Sequence, residues 1–129
     1  MKPIQTSAAP AAIGPYTHAY ISGNLVFTAG QGPLFPGTGE IAGGNISEQT
    51  EQTIKNLKAV LEAAGSSLAK VVKTTCFLAD MNDFAAFNEE YAKHFPGRPA
   101  RSTVAVKQLP KNALLEIEAI AEVNQQNGY

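Results

Sequence analysis

Arginine occurs twice in this chain, as Arg98 and Arg101 in the run Arg98-Pro99-Ala100-Arg101-Ser102; the remaining Lys/Arg cations are lysines. A guanidinium presents a planar fork of N–H donors that holds a carboxylate bidentately, which an ammonium cannot do. Pro99 stiffens the approach, and Arg101 opens a β-rich run, where a side chain is held firmly. Arg101 is therefore a candidate carboxylate clamp, and Arg98 reads more readily as a solvated surface charge. Further on, Leu114 to Glu122 alternates. Glu116, Glu118, Ile120 and Glu122 share one face, and Leu115, Ile117, Ala119 and Ala121 the other. Glu118 and Glu122 fit a wet face. Glu116, at the strand start, either does the same or points into a cleft and positions a water. Near an arginine its carboxylate keeps a low pKa and stays ionised.

Other residues carry less. Gly14-Pro15-Tyr16 sets an aromatic after a stiff turn, where Tyr16 lines a pocket or packs on the core. Gly30-Gln31-Gly32 follows an apparent strand, but Pro33 and Pro36 come next, no helix begins there and no Gly-Lys-Ser/Thr appears, so a phosphate loop is excluded. Glycines there allow close backbone approach to a small ligand. Cys76 sits mid-strand without an adjacent base and reads as a small buried hydrophobe. His18 and His94 are too few for a zinc site of the usual kind, and His94 reads as a partner for a helix end. No Gly-x-Ser-x-Gly elbow exists.

These residues need a frame. A chain of 129 residues is one domain's length, taken here as residues 1–129. It buries roughly two thirds of its unfolded surface. Charged residues are 16%, which is sparse and suggests surface covered by partner subunits. A net charge of −1 gives no footprint for nucleic acid. The lack of a long apolar run argues against a membrane span, and the Ala- and Pro-rich start against a signal peptide, so the expected location is cytoplasmic.

Residues 1–15 read as irregular. Tyr20-Ile21 and Leu25-Val26-Phe27 flank Ser22-Gly23-Asn24 as a hairpin. Residues 30–45 form a loop, with room for a brief strand near Phe35. Ser47 starts a helix over 47–64 whose stripe is Ile54, Leu57, Val60 and Leu61, and Gly65 stops it. Residues 70–79 form a strand, with Val72, Thr74, Cys76 and Leu78 on one face. Asp80 to Asp83 cap a second helix with the stripe Phe84, Phe87, Tyr91 and Phe95. Strands over 102–106 and 114–123 follow. The order β–β–α–β–α–β–β implies an α+β fold, a mixed sheet with both helices on one face. Phe27, Val72, Val104, Val106 and Ile117 are expected on the open face, and an uncovered apolar sheet face marks association.

Seven segments taken together carry a resemblance: Ala12-Ile13-Gly14-Pro15-Tyr16, Thr28 to Pro33, Lys73-Thr74-Thr75, Met81-Asn82-Asp83-Phe84, Pro99-Ala100-Arg101-Ser102, Leu109-Pro110-Lys111 and Glu116 to Ala121. In this order they resemble the reactive intermediate deaminase family, RidA or YjgF, from about residue 4 to residue 123. The resemblance implies a chorismate-mutase-like unit in a homotrimer, with sheets inside, helices outside and ligand clefts between subunits. It implies hydrolysis of 2-imino acids such as 2-iminobutanoate and 2-iminopropanoate to 2-oxo acids and ammonia, without metal or organic cofactor, which protects pyridoxal-phosphate enzymes. Carried over, Arg101 binds the substrate carboxylate, Glu116 positions the water, and Tyr16, Gly30, Gln31 and Asn88 line the cleft. Ala29 stands where many members have Ser, and Thr103 where many have Cys; the backbone at Thr103 still contacts ligand. The alternatives are deamination of a larger enamine such as 2-aminomuconate, a ligand-binding or chaperone-like trimer without turnover, and action on RNA.

Overall fold

The structure is a computed structural model that describes residues 1–123; residues 124–129 of the expected domain lie outside the described residues. Six strands form one mixed sheet in the order β1-β2-β3-β6-β4-β5. They are β1 (Lys2–Ile4), β2 (Ala19–Ser22), β3 (Leu25–Thr28), β4 (Val71–Leu78), β5 (Ala100–Ala105) and β6 (Leu115–Glu122), with helices α1 (Ile46–Ala63) and α2 (Phe84–His94) between them. β4 and β5 run parallel and the other neighbours antiparallel. The α+β class, the mixed sheet and the element order from β2 onward are as the sequence predicts.

Each helix forms for legible reasons. The Asn45 side chain accepts from the Glu48 N–H at 2.9 Å, and Glu48 Oε1 accepts from the Gly44 N–H at 3.1 Å, a reciprocal cap. The N-cap is therefore Asn45 rather than a residue near Ser47. Gly65, at φ +82°, closes α1 with Ser66 N–H donating to Leu61 O. α1 buries Ile54, Leu57, Val60 and Leu61, and α2 buries Phe87 and Tyr91. His94 is not a cap partner: its Nε2 lies 2.8 Å from Glu90 Oε2, one turn back in the same helix. That hydrogen bond is the main cause holding the Glu90 carboxyl below its ordinary range.

Several expectations about strands change. Residues 1–15 contain β1, a three-residue edge strand that tolerates Pro3 and buries Ile4. In β4 the register shifts between Val71 and Lys73, a bulge that turns Val72 outward and puts Val71 on the buried face with Thr74, Cys76 and Leu78. Ile117 lies opposite Cys76 and is fully buried on the helix side, so it is not part of the open face. Val106 falls just beyond β5. The open face instead carries Tyr20, Phe27, Val72 and Val104, each between 42% and 49% exposed. The brief strand near Phe35 reduces to an isolated bridge between Leu34 and Ile41.

Cys76 is fully buried, and burial pushes its thiol up to about 11. The folded protein should leave Ellman's reagent unreacted at mildly alkaline pH and release one equivalent of thiol per chain once denatured; fast labelling of the native protein would contradict this placement.

Candidate active site

Side chains directly opposite each other in a sheet point to the same face, so the register decides which candidate residues can meet. Arg101 lies opposite Thr74, and Thr74 opposite Ala119. Thr103 lies opposite Cys76, and Cys76 opposite Ile117. These side chains belong to the helix side. Glu116 lies opposite Phe77, which lies opposite Val104, on the open side. Arg101 and Glu116 of one chain therefore point to opposite faces of the sheet.

Two concavities reflect this division. The first has a volume of about 370 Å³, with Tyr16, Gly30, Gln31, Lys111 and Glu116 in its wall and an apolar rim that includes Ile13 and Leu34. The second, of about 690 Å³, is lined by Asn88, Tyr91, Phe95, Arg98 and Arg101. Both volumes fall in the range of small-molecule sites. Of the expected residues, Tyr16, Gly30, Gln31 and Glu116 thus gather in one half, and Arg101 and Asn88 in the other. Thr103 enters neither wall; its hydroxyl is buried beside the Cys76 thiol.

The Glu116 half is built around a glycine. Gln31 exchanges two backbone hydrogen bonds with Ile117, at 2.8 and 3.0 Å, so the loop after β3 continues alongside β6. That places Gly30 directly against the Glu116 side chain; a Cβ there would sit 2.6 Å from the Glu116 carboxyl carbon. Because Gln31 commits its N–H and C=O to Ile117, it fixes the loop rather than offering those groups to a ligand. Tyr16, 47% exposed, lines the cleft rather than the core. His18 behind it is buried: its Nδ1 accepts from Thr6 N–H at 3.1 Å, which leaves Nε2–H to donate to the Pro10 carbonyl at 2.8 Å.

Residues that sequence reasoning missed hold this half from behind. Asn56, inside α1, donates to the carbonyls of Gly32 and Leu34 at 2.9 and 2.8 Å. Gln49 donates to Gly43 O at 3.2 Å and accepts from Leu114 N–H at 2.9 Å. Lys111 Nζ reaches Gly39 O at 2.7 Å. The available signal was an Asn and a Gln on the apolar side of a helix, where an unpaired amide is costly.

Electrostatics separate the halves. Glu116 is partly buried, and burial, then the nearby Glu118 carboxylate, pushes its pKa above 4.5. The expectation of a low pKa fails because Arg101 of the same chain lies on the other face. Arg101 donates from Nη1 to Asn88 Oδ1 at 2.8 Å, and among the described residues no carboxylate bridges it. Among the described residues, no three His, Cys, Asp or Glu side chains come together as a metal site. Nor, among them, is any helix long and apolar enough to cross a membrane.

Comparison with known proteins places this arrangement. Residues 6–123 match the protein family described as Endoribonuclease L-PSP. The chain is 56% identical over 119 residues to a RutC family protein of Pyrococcus horikoshii, covering 92% of this chain and 94% of that one. It is 50% identical over 119 residues to the chloroplastic Reactive Intermediate Deaminase A of Arabidopsis thaliana, covering 92% of this chain and 64% of that one. Among solved structures it is similar to E. coli TdcF with bound serine, at a TM-score of 0.91 and 44% identity, covering 96% of this chain and 100% of that one.

Two outcomes follow from the geometry. Gly30→Ala should displace the Glu116 carboxyl and cut any Glu116-dependent turnover at least tenfold while the fold persists, as read by kcat/KM and circular dichroism. Asn56→Ala leaves two part-buried carbonyls without this donor and should lower stability by about 1–2 kcal/mol in denaturant unfolding.

Proposed function

We propose a function from one premise: the chain belongs to the endoribonuclease L-PSP family, the group that also carries the names YjgF, RutC and RidA. On that premise the chain is a hydrolytic deaminase of small 2-imino acids, 2-iminobutanoate and 2-iminopropanoate, giving the 2-oxo acid and ammonia. Its service is to clear these intermediates before they attack pyridoxal-phosphate enzymes. The observation that carries the reading is a pair of complementary half-sites: a guanidinium that has no acid partner among the described residues, and a partly buried carboxylate set against Gly30.

Because the halves lie on opposite faces, a complete site needs the Arg101 half of one copy against the Glu116 half of another. A homotrimer joined through Tyr20, Phe27, Val72 and Val104 supplies this and covers the open sheet face. Arg101 then holds the substrate carboxylate and removes most of the reactant's orientational freedom. Glu116 accepts a proton from water as the oxygen bonds to the C=N carbon. With the imine nitrogen protonated at the start, the C=N pair moves onto nitrogen to give an amino-alcohol; Glu116 returns its proton to that nitrogen, and the C–N bond breaks to release ammonia as the C=O bond forms and the hydroxyl proton passes to solvent. The imine carbon is already electrophilic, so general-base help of about 10²–10³ suffices.

A Glu base works when ionised, so activity should rise with pH through a carboxylate limb. Glu118→Gln removes a like charge and should move that limb to lower pH in kcat/KM profiles, whereas an unmoved limb would assign it to another group.

The deciding experiment is a competition in which an amino-acid oxidase generates the imine and semicarbazide traps it. Wild type should suppress semicarbazone formation; Arg101→Ala and Glu116→Gln, each alone, should not. Subunits of the two variants, unfolded together in equal amounts and reassembled, should regain about a quarter of wild-type activity, since chance pairing gives about that share of intact clefts. No recovery would place the site within one chain, and inactive wild type would remove the deaminase reading.

A second reading is favoured by one observation. Arg98 lines the same half as Arg101, which suits a larger enamine with two carboxylates, such as 2-aminomuconate. The ratio of kcat/KM for the two substrate sizes decides between them. The net charge of −1 gives no comparable support for RNA.

A further inference from the structure

Arg101 is surrounded by aromatic rings. Its Cζ lies 4.9 Å from the Tyr91 ring centroid, 5.5 Å from that of Phe84 and 5.7 Å from that of Phe87. Among the described residues its side chain donates to the neutral Asn88, and no carboxylate bridges it. A salt-bridging acid would occupy the same donors that a ligand carboxylate needs. Rings attract and orient a guanidinium through their faces without consuming its N–H groups.

Of these rings, Tyr91 is itself pinned. Its Oη lies 2.7 Å from Thr74 Oγ1, a buried pair. Thr74 is the residue directly opposite Arg101 in the β4–β5 register, so the strand pair that places the arginine also anchors the ring beside it. Phe95 stacks on Tyr91 at 4.5 Å, and Phe87 packs against it at 5.5 Å. The sequence shows Tyr91 only as one member of an apolar stripe; its hydroxyl and its ring face serve two further contacts.

The geometry points to Tyr91, pinned by Thr74, as the positioning residue of the site: it sets the plane of the Arg101 guanidinium and thereby the affinity for a substrate carboxylate. This inference rests on the clamp role given to Arg101 above. Tyr91 acts through Arg101 and not on the reacting atoms, so its loss raises KM and spares kcat.

Three variants test it. Tyr91→Leu removes the ring; Tyr91→Phe keeps the ring and loses the hydroxyl. Thr74→Val with Tyr91→Phe removes both partners of the buried bond, at the cost of the weak contact that Cys76 Sγ makes to Thr74 Oγ1 at 3.8 Å. Each assembled variant is assayed for 2-iminobutanoate hydrolysis with kcat and KM separated, and titrated with 2-oxobutanoate as a carboxylate probe. Side-chain Nε–H NMR reports the guanidinium directly, and Arg98→Lys identifies the Arg101 signal because the chain has only two arginines.

Tyr91→Leu should raise KM and the 2-oxobutanoate Kd by about tenfold, leave kcat within about twofold, and turn an ordered Arg101 signal into a solvent-averaged one. Tyr91→Phe should recover most of this, with KM about two- to threefold above wild type. Unchanged KM, Kd and Arg101 signal in folded Tyr91→Leu overturn the inference, as does a loss confined to kcat. If Tyr91→Leu does not assemble, the double variant carries the test: a raised KM with a mobile Arg101 signal supports the inference, and wild-type values for both overturn it. Wild type that neither hydrolyses the imine nor binds 2-oxobutanoate defeats the proposed function instead, and the Arg101 signal in wild type and Tyr91 variants still decides whether the ring orders the guanidinium.

Discussion

Side chains along a strand point alternately to the two faces of a sheet, and this alternation governs the rest of the molecule. Arg101 falls in step with Thr74 and Ala119, and Glu116 in step with Phe77 and Val104. The same parity that sends Leu115, Ile117, Ala119 and Ala121 into the core sends Glu116 away from it. A slip of one residue in β6 would bury the carboxylates and expose the core, so packing itself enforces the separation of the two half-sites. The sheet is consequently committed on both sides: its helix face is a core, and its open face carries large apolar side chains that water disfavours. The proposed association and the proposed chemistry then share one cause.

The two charged groups differ because their surroundings differ. Arg101 lies among aromatic rings with an amide as its polar partner, so its charge remains available to a ligand. Glu116 lies in a wall shared with Gly30, with Glu118 two residues away on the same face. Burial and like charge both favour its neutral form. A carboxyl whose pKa is raised is a stronger base once ionised than one held low by a salt bridge.

Much of this was legible because it is local. Helical spacing gives α1 and α2, and alternation gives β6 and the face of Glu116. The Gly65 stop and the hairpin around Gly23 follow from turn chemistry. What was not legible depends on partners distant in sequence. The β4 bulge that expels Val72 exists only against β6, and β1 is too short for any period to register. The reading of Ile117 as open-faced failed because alternation gives parity within a strand but not which parity faces the helices. The low pKa expected for Glu116 failed because closeness to Arg101 was inferred from type rather than from register. Residue type and spacing made Arg101 and Glu116 candidates and resemblance added Asn88, but the ring stack on Tyr91 depends on how the turns of α2 lie together.

The glycine-rich loop shows how far such long-range support extends. Residues 30–45 have little regular structure, yet Asn56 and Gln49 on α1 and Lys111 before β6 bind four of its carbonyls. The pairing of Gln31 with Ile117 then makes the loop an extension of the sheet. A loop held this way loses little further entropy when a ligand arrives. On the proposed function, its backbone contributes a fixed wall and Glu116 a fixed base, which leaves discrimination among substrate side chains to what borders them. In this half that border is Ile13 and Leu34, an apolar rim suited to the short alkyl group of a small 2-imino acid. Chemistry and selectivity are thereby carried by different residues, and the rim can change without moving the carboxylate.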